Sequence, residues 1–245
     1  MTTRPLAQKT IGVLGGSSNI ATGHYYRFLN EIVNARLGGW DIAETVIVGM
    51  NFGNIEAFLH ADDWASLEAY MAKKVDALIA AGADVIVGVS NTLHKPMEAI
   101  LASRDIDYIH IVDPTGEATR KAGLKRVALF GTRPIMEMDY ARRRYEEKFG
   151  LEIVVPNADE RAEIDRIIFD ELVKDVLRPQ SKARYLEIAE RLAREEGAEG
   201  LILGCTEIFL LIDQKDRPDF PMFNTTRLHC EAAVDYALTN ALEAV

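Results

Sequence analysis

Cysteine is scarce in this chain, and neither a long apolar run nor a cluster of basic residues is present. Only Cys205 and Cys230 occur among 245 residues, which excludes a disulfide framework and a metal site built on several thiolates. No apolar run approaches the ~20 residues that span a bilayer. The net charge of −10 would repel phosphate backbones, so we expect no nucleic-acid partner.

Residues 1–5 also lack the apolar core of a signal peptide. These absences predict a cytoplasmic protein that does not contact a membrane. What the chain does contain is a 48% share of hydrophobic residues, enough to bury an ample core in either one domain or two small ones.

Two segments of the chain resemble each other, and this favours two domains. Residues 82–92 align without a gap with residues 197–207, which lie 115 positions later, so that Ser90 falls opposite Cys205. Residues 11–16 likewise resemble residues 127–132, 116 positions later. The sequence therefore predicts a duplicated half, with a first domain at 1–112 plus 226–245 and a second at 113–225.

Short apolar runs alternate with segments of helical spacing, which predicts parallel sheets covered by helices. The expected fold class is α/β, with two similar doubly wound domains that each contain a parallel four-stranded sheet. A pseudo-two-fold axis would relate them, and the active site would lie in the cleft between them, beyond the carboxyl ends of the strands. The predicted strands are 10–15, 44–50, 84–89, 108–112, 126–130, 152–155 and 200–204. The predicted helices are 20–37, 63–81, 94–102, 114–122, 134–149, 160–176, 181–196 and 227–243.

Gly16 and Ser17 lie in a turn after the first predicted strand. This turn lacks the glycine spacing of a dinucleotide fingerprint and the Gly-Lys-Ser/Thr of a phosphate loop. A tight strand-to-helix turn is therefore favoured over a nucleotide site. Its backbone N–H groups remain suited to binding a carboxylate at a helix start.

Ser90, Asn91 and Thr92 place three small hydrogen-bonding side chains directly after a very apolar strand. Polar groups buried at a strand end need partners, and a bound ligand is one such partner. A cap on the next helix explains the same residues equally well. The following His94 is more typical of a hydrogen-bonded structural residue than of a catalyst.

Cys205 provides a sharper signal, because it lies at the end of an apolar strand and before a predicted helix. A helix N-terminus there would lower the pKa of the thiol and make it a base. A buried, inert cysteine is the alternative. The match to Ser90 favours the catalytic interpretation, since packing alone does not require polar residues at both strand ends. Cys230, on the apolar face of the last predicted helix, is expected in the core.

Taken in order, these motifs resemble the aspartate/glutamate racemase superfamily, in particular its amino-acid racemases. The likeness covers almost the whole chain and is carried by residues 12–16, 91–95, 131–133 with Met136 and Glu137, 203–208 and 228–229. The resemblance implies an enzyme that uses no cofactor and no metal. In this family two cysteines flank the substrate α-carbon, and one removes a proton while the other returns one from the opposite face.

Carried over by position, the resemblance makes Cys205 the second cysteine, which acts on the L-isomer, and puts Ser90 in place of the first. A homodimer and an amino-acid substrate are the expected partners. The expected substrate-binding residues are Gly16, Ser17, Asn51, Asn91, Thr92, Thr132, Arg133, Thr206 and Glu207, with His94, Arg166 and Lys174 in support.

Two positions depart from the family pattern. Ser90 is one, because a serine hydroxyl is a far weaker base than a thiolate. The other concerns the substrate side chain, since aspartate-type members carry an Arg after the second strand and residues 51–57 contain none. Arg133, Arg166 and Lys174 are the alternatives for that contact.

The sequence therefore predicts one function and leaves two alternatives open. The first is a cofactor-independent racemase of aspartate, glutamate or a related amino acid. The second is a decarboxylase of a substituted malonate that needs only one cysteine. The third is a small-carboxylate binding protein that has lost turnover at Ser90.

Overall fold

A computed structural model of the protein describes residues 8–242, with side chains described for residues 8–239. The predictions for residues 1–5 and for the end of the last helix at 243 lie outside this range. The described chain forms two compact units. The first contains residues 8–89, 93–110 and 229–242, and the second contains residues 90–92 and 111–228.

Each unit is built on a parallel sheet of four strands. In the first unit the strand order is β2-β1-β3-β4, and in the second it is β6-β5-β7-β8. The α/β class with two parallel four-stranded sheets, predicted from the alternating pattern, is thus confirmed. The strands are β1 (Ile11–Gly15), β2 (Thr45–Gly49), β3 (Val85–Gly88), β4 (Asp107–Tyr108), β5 (Arg126–Phe130), β6 (Glu152–Val154), β7 (Leu201–Leu203) and β8 (Met222–Asn224).

Helices connect these strands. They are α1 (Asn19–Leu37), α2 (Phe52–His60), α3 (Trp64–Ala80), α4 (His94–Leu101), α5 (Val112–Lys121), α6 (Arg133–Glu137), α7 (Asp139–Phe149), α8 (Ala158–Asp170), α9 (Pro179–Glu196), α10 (Ile208–Leu211) and α11 (Thr225–Leu242). A 3₁₀ turn follows α8 at Leu172–Lys174.

Local signals set several helix ends. The side chain of Ser18 accepts the N–H of Ala21 at 3.0 Å and so caps the start of α1. Asn157 and Glu160 form a reciprocal capping box at the start of α8. Gly150 and Gly197 end α7 and α9 in the left-handed conformation, which glycine adopts without a Cβ clash.

Three parts of the predicted pattern are wrong. The strand expected at 108–112 is only Asp107–Tyr108, because α5 already begins at Val112. The helix expected at 134–149 is two helices, since Met138 is extended and separates α6 from α7. The helix expected after Cys205 is only the four-residue α10, and the helix α2 and the strand β8 were not predicted at all, because each is too short to show a clear period.

The internal repeat is visible in the strand register. Gly12 pairs with Ile86 in the first sheet, and their counterparts Ala128 and Leu201 pair in the second. The backbone N–H of Val89 donates to Leu14 O at 3.0 Å, and that of its counterpart Gly204 donates to Phe130 O at 2.6 Å. The two aligned segments therefore form the same two-stranded core in both units.

The predicted domain limits differ from the units at residues 111–112 and 226–228 and at the segment Ser90–Thr92. The prediction put this segment in the first domain, whereas the structure groups it with the second unit. Its side chains form hydrogen bonds to residues of that unit, as described below. The folding of each half as an independent domain stays a prediction.

Buried apolar side chains fill both units. Val85, Ile86 and Val87 of β3 are fully buried in the first unit, as are Leu201 and Ile202 of β7 in the second. Cys230 is fully buried on α11, which confirms its predicted place in the core. In the described part of the chain, no helix is long and apolar enough to cross a membrane.

Candidate active site

Cys205, Thr206 and Glu207 follow β7 and are all buried. The thiol of Cys205 donates to Glu207 Oε2 at 3.1 Å. The hydroxyl of Thr206 donates to the same oxygen at 2.8 Å. One carboxylate oxygen thus accepts from both side chains that precede it, which fixes the thiol directly beside a proton acceptor.

The expectation that a helix start lowers the pKa of Cys205 is wrong. Burial raises the pKa of this thiol well above its usual value, and the neighbouring negative charge of Glu207 raises it further. The helix that follows, α10, spans only four residues and begins at Ile208, so its dipole is small. The resting Cys205 is therefore a protonated thiol, held beside a carboxylate.

The segment Ser90–Thr92 lies in the same unit and is tied to it by side-chain hydrogen bonds. Thr92 Oγ1 lies 2.8 Å from Thr132 Oγ1, at the end of β5. Asn91 Nδ2 donates to Thr225 Oγ1 at 3.1 Å. Asn91 and Thr92 are buried, while Ser90 is half-buried. The structure thus brings this segment together with two strand ends of the second sheet.

Thr225 links this segment to the strand that carries Cys205. Its hydroxyl accepts from Asn91 and donates to Leu203 O at 2.8 Å, two residues before Cys205. The side chain of Thr225 is fully buried. A single hydroxyl therefore couples the backbone before Cys205 with the side chain that follows Ser90.

Thr226 and Tyr140 add two further buried contacts. The hydroxyl of Thr226 donates to Thr206 O at 3.2 Å. The phenol of Tyr140 on α7 donates to Asn91 O at 2.7 Å, and burial raises its pKa well above the usual value. Tyr140 therefore remains a hydrogen-bond donor across the physiological pH range.

Sequence reasoning missed Tyr140, Thr225 and Thr226. A signal for the two threonines was present, because Thr225 and Thr226 follow an apolar strand as Ser90, Asn91 and Thr92 do. The strand before them has only three residues, which is too short to be recognised by its period. Tyr140 gave no signal, since a tyrosine in a helix is usually a packing residue.

Arg133 is the first residue of α6 and directly follows Thr132, while its side chain is exposed. Its backbone N–H donates to Asp165 Oδ1 at 2.7 Å. Burial raises the pKa of Asp165, although the Arg133 N–H opposes that shift. This hydrogen bond fixes α6 at the end of β5.

The other two candidates for the substrate side chain lie on α8 and on the turn that follows it. Arg166 is 3.7 Å from carboxylate oxygens of both Asp170 and Glu171. Lys174 is exposed in the 3₁₀ turn. Of the three cations, Arg133 is the one that adjoins a hydroxyl bound to the Ser90–Thr92 segment.

The remaining candidates lie in the first unit. Gly16 has a φ of +89°, and a Cβ there would collide with the backbone of Met50. The hydroxyl of Ser17 donates to Val89 O, and Asn51 caps α2 through Gly53 N–H at 3.1 Å. These contacts agree with a tight strand-to-helix turn. The predicted substrate contacts of Gly16, Ser17 and Asn51 stay predictions.

His94 lies in a buried group of aromatic side chains of the first unit. Its ring is 4.7 Å from that of His110 and 5.5 Å from that of His229. His229 in turn contacts Tyr25 OH at 2.8 Å and Ile109 O at 2.8 Å. This packing favours the structural role for His94.

Comparison with known proteins identifies the family. A family model described as Asp/Glu/hydantoin racemase matches residues 11–233. The chain belongs to this family. The resemblance found in the motifs is thereby confirmed, while the exchange of a catalytic cysteine for Ser90 is not part of that finding.

Solved structures of the family are similar to this chain over nearly its whole length. The crystal structure of a candidate Asp/Glu racemase from Yersinia pestis has 36% identity and a TM-score of 0.85, covering 94% of this chain and 99% of that one. An aspartate racemase homologue from Pyrococcus horikoshii OT3 has 32% identity and a TM-score of 0.81, with the same coverage. Picrophilus torridus aspartate racemase shares the fold at 19% identity, with a TM-score of 0.73 and coverage of 95% and 94%. Family and fold together support an isomerase.

Proposed function

We propose that the protein racemises an acidic amino acid, aspartate or glutamate, by proton transfer at the α-carbon. The observation that carries this proposal is the Cys205–Glu207 pair, in which a buried thiol donates to a carboxylate at 3.1 Å. The similarity to racemases of the same family supports it. The reaction requires only acid–base groups of the protein itself.

In the proposed mechanism Glu207 first takes the proton of Cys205. The S–H bond breaks, an O–H bond forms on Oε2, and a thiolate faces the substrate. The thiolate then removes the α-proton of the L-isomer and leaves a carbanion whose charge spreads into the α-carboxylate. Thr206 stabilises the carboxylate of Glu207 until the transfer, because its hydroxyl donates to the same oxygen at 2.8 Å.

Ser90 is the proposed donor on the opposite face of the α-carbon. Its hydroxyl would give a proton to the carbanion, and the resulting alkoxide would take up a proton from solvent. Glu207 would release to solvent the proton it took from Cys205, which restores the starting thiol and carboxylate. A hydroxyl is a reluctant acid and a weak base at neutral pH, so inversion should be slower than removal of the α-proton by Cys205. The carbanion would therefore often take a proton back from Cys205.

The α-carboxylate needs donors that stabilise its growing charge in the transition state. Only one proton is used in the bond between the hydroxyls of Thr92 and Thr132, so the other hydroxyl proton can point to a carboxylate oxygen. Asn91 uses one amide N–H on Thr225 and has a second N–H that can donate to the α-carboxylate.

We propose that Arg133 binds the side-chain carboxylate of the substrate, because Arg166 already faces two carboxylates.

The proposal is tested by incubating the protein in deuterated water with pure L- and D-aspartate and glutamate. Proton NMR follows the loss of the α-proton, and chiral chromatography follows inversion. We expect the L-isomer to exchange its α-proton several-fold faster than it inverts. A protein that releases carbon dioxide from a substituted malonate without exchanging any amino acid is a decarboxylase. One that binds acidic amino acids without exchange is a binding protein.

A further inference from the structure

The second unit contains a cavity of about 270 Å³, which is lined by Leu203, Met222 and Asn224 among others and which we call the β8 cavity. Leu203 pairs with Asn224 in the sheet, and Met222 lies two residues before Asn224 on the same strand. Paired residues, and residues two apart, point to the same face of a sheet, so these three side chains form one wall. Pockets for drug-sized ligands measure roughly 300–1,000 Å³, so the β8 cavity suits a molecule of amino-acid size.

The segment that connects β7 to β8 forms the rest of the lining. Its helix α10 contributes Phe209, and the loop after the helix contributes Asp213, Gln214 and Lys215. These three loop residues are exposed, so the β8 cavity can be entered from solvent. The lining therefore combines apolar side chains of the sheet and helix with polar and charged side chains of the loop.

Hydrogen bonds hold this loop in place. Gln214 Oε1 accepts the N–H of Met222 at 2.8 Å, and Gln214 Nε2 donates to Arg217 O at 2.8 Å. Asp213 Oδ1 accepts the N–H of Lys215 at 2.8 Å. The β8 cavity is therefore preformed, and a ligand would not have to order the loop in order to bind.

Asp213 and Lys215 place opposite charges in the lining. Asp213 uses Oδ1 on a backbone N–H, which leaves Oδ2 for an ammonium group. The ammonium group of Lys215 forms no ion pair within residues 8–239, whereas Lys182 of the same unit pairs with Asp216 at 2.7 Å. Asp213 would repel a ligand with only a carboxylate, and Lys215 would repel one with only an ammonium group. A zwitterion is attracted by both residues.

We propose that the β8 cavity binds the zwitterion of an amino acid with an apolar side chain, such as leucine or methionine. The carboxylate of this ligand would bind Lys215 and its ammonium group would bind Asp213. Its side chain would pack against Leu203, Phe209 and Met222. An acidic amino acid is excluded, because its second carboxylate would lose its hydration against these apolar side chains. The ligand of the β8 cavity thus differs from the substrate proposed for the Cys205 site.

The ligand would influence Cys205 through the strands that it contacts. Leu203 lies two residues before Cys205, and its carbonyl accepts the hydroxyl of Thr225 at 2.8 Å. Asn224 directly precedes Thr225 and accepts the N–H of Arg227 at 3.1 Å. A ligand packed on Leu203 and Asn224 would order the ends of β7 and β8 before the substrate binds, which should raise α-proton exchange at subsaturating substrate. This effect on exchange rests on the proposed function, whereas the binding site does not.

Isothermal titration calorimetry on the full chain tests the site without any measurement of activity. We expect L-leucine to bind with a Kd below ~1 mM. Leucinamide, which lacks the carboxylate, and the α-keto acid of leucine, which lacks the ammonium group, should each bind at least tenfold more weakly. No saturable binding of L-leucine, or equal binding of the keto acid, overturns the proposal.

Two variants locate the ligand. Lys215→Gln and Asp213→Asn should each weaken L-leucine binding at least tenfold, because each removes one charged partner. Asparagine keeps an oxygen that can accept the Lys215 N–H, so the loop conformation is retained. Lys125→Gln is the matched control, since Lys125 is an exposed lysine of the same unit that precedes β5. Binding that either cavity variant leaves unchanged puts the ligand elsewhere and overturns the proposal.

The effect on the Cys205 site is measured as α-proton exchange of L-aspartate or L-glutamate in deuterated water, with and without L-leucine. At subsaturating substrate we expect exchange to rise at least twofold in wild type and not in Lys215→Gln. Unchanged or slower exchange at saturating L-leucine overturns the coupling to Cys205. If no acidic amino acid exchanges in either protein, the proposed racemase function fails, whereas the calorimetric result for the β8 cavity is unaffected.

Discussion

The aligned strand ends of β3 and β7 share one backbone design and differ in chemistry. Val89 and Gly204 make the same backbone hydrogen bond to the neighbouring central strand. The next residue is Ser90 in one case and Cys205 in the other. Two positions later, Thr92 bonds to a hydroxyl, whereas Glu207 accepts from a thiol. A duplicated backbone thus presents a neutral hydroxyl pair at one strand end and a thiol–carboxylate pair at the other.

The difference indicates how a repeat acquires two roles. A parallel sheet positions whatever follows its strands, so backbone pairing is preserved while the side chains diverge. The hydroxyl pair is suited to binding a carboxylate, and the thiol–carboxylate pair is suited to moving a proton.

Replacing the two aligned residues should have very unequal effects. We expect Cys205→Ala to reduce α-proton exchange on L-aspartate or L-glutamate by at least ~10³-fold, since it removes the acid–base group itself. Ser90→Ala should slow inversion at the α-carbon but leave much of the α-proton exchange of the L-isomer. Proton NMR in deuterated water gives both rates. Cys230→Ala, a core change, is the control for loss of a cysteine, and equal losses at positions 90 and 205 would contradict the division of roles.

Glu207→Gln distinguishes proton transfer from simple charge repulsion. Removing the carboxylate charge should lower the pKa of Cys205, since Glu207 contributes to raising it. Alkylation of the thiol at fixed pH should therefore become faster. Exchange of the α-proton should nevertheless fall by about 10²-fold, because the acceptor of the thiol proton is gone. If Glu207→Gln increases both the alkylation rate of Cys205 and the α-proton exchange, Glu207 only hinders ionisation of the thiol.

Thr225→Val tests the coupling between the two strand ends. The variant leaves Leu203 O and Asn91 Nδ2 without their shared partner, which should cost about 1–3 kcal/mol in the free energy of unfolding measured with urea. Thr225→Ser keeps the hydroxyl and is the matched control. Valine is compatible with this backbone position, because α5, which follows β4 as α11 follows β8, begins at Val112. If Thr225→Val is as stable as Thr225→Ser, the hydroxyl of Thr225 does not couple the two strand ends.

The smallest effect is expected at Glu199 and Asp84, two aligned residues that precede β7 and β3. Glu199 accepts the N–H groups of Lys125 and Arg126 at 2.6 and 3.0 Å, whereas Asp84 accepts only that of Thr10 at 2.6 Å. The two backbone bonds lower the pKa of Glu199, so its contribution to stability is present at neutral pH and is lost as the pH falls through that pKa. We expect Glu199→Gln to lower the melting temperature at pH 7 by on the order of 1 °C.

That difference from wild type should shrink as the pH falls through the lowered pKa of Glu199. Asp84→Asn, at the aligned position, should have a smaller effect because only one backbone N–H loses its charged acceptor. A larger effect at position 84 than at position 199 would contradict the comparison.

The fold class, the repeat and the positions of the candidate site residues follow from the sequence alone. Apolar runs that end in small polar residues are a local property, so β1, β3, β5 and β7 and the residues that follow them could be read directly. The identity of Cys205 as the thiol at a strand end needed no structure.

The hydrogen-bond partners of those side chains, in contrast, depend on the folded structure. The pKa of Cys205 depends on burial and on the direction in which Glu207 points, and neither is encoded by spacing along the chain. The hydroxyl of Thr225 joins Asn91 and Leu203, which lie 134 and 22 residues away from it. Contacts over such separations arise only when strands assemble into a sheet, so the sequence could name the groups of this site but not their partners.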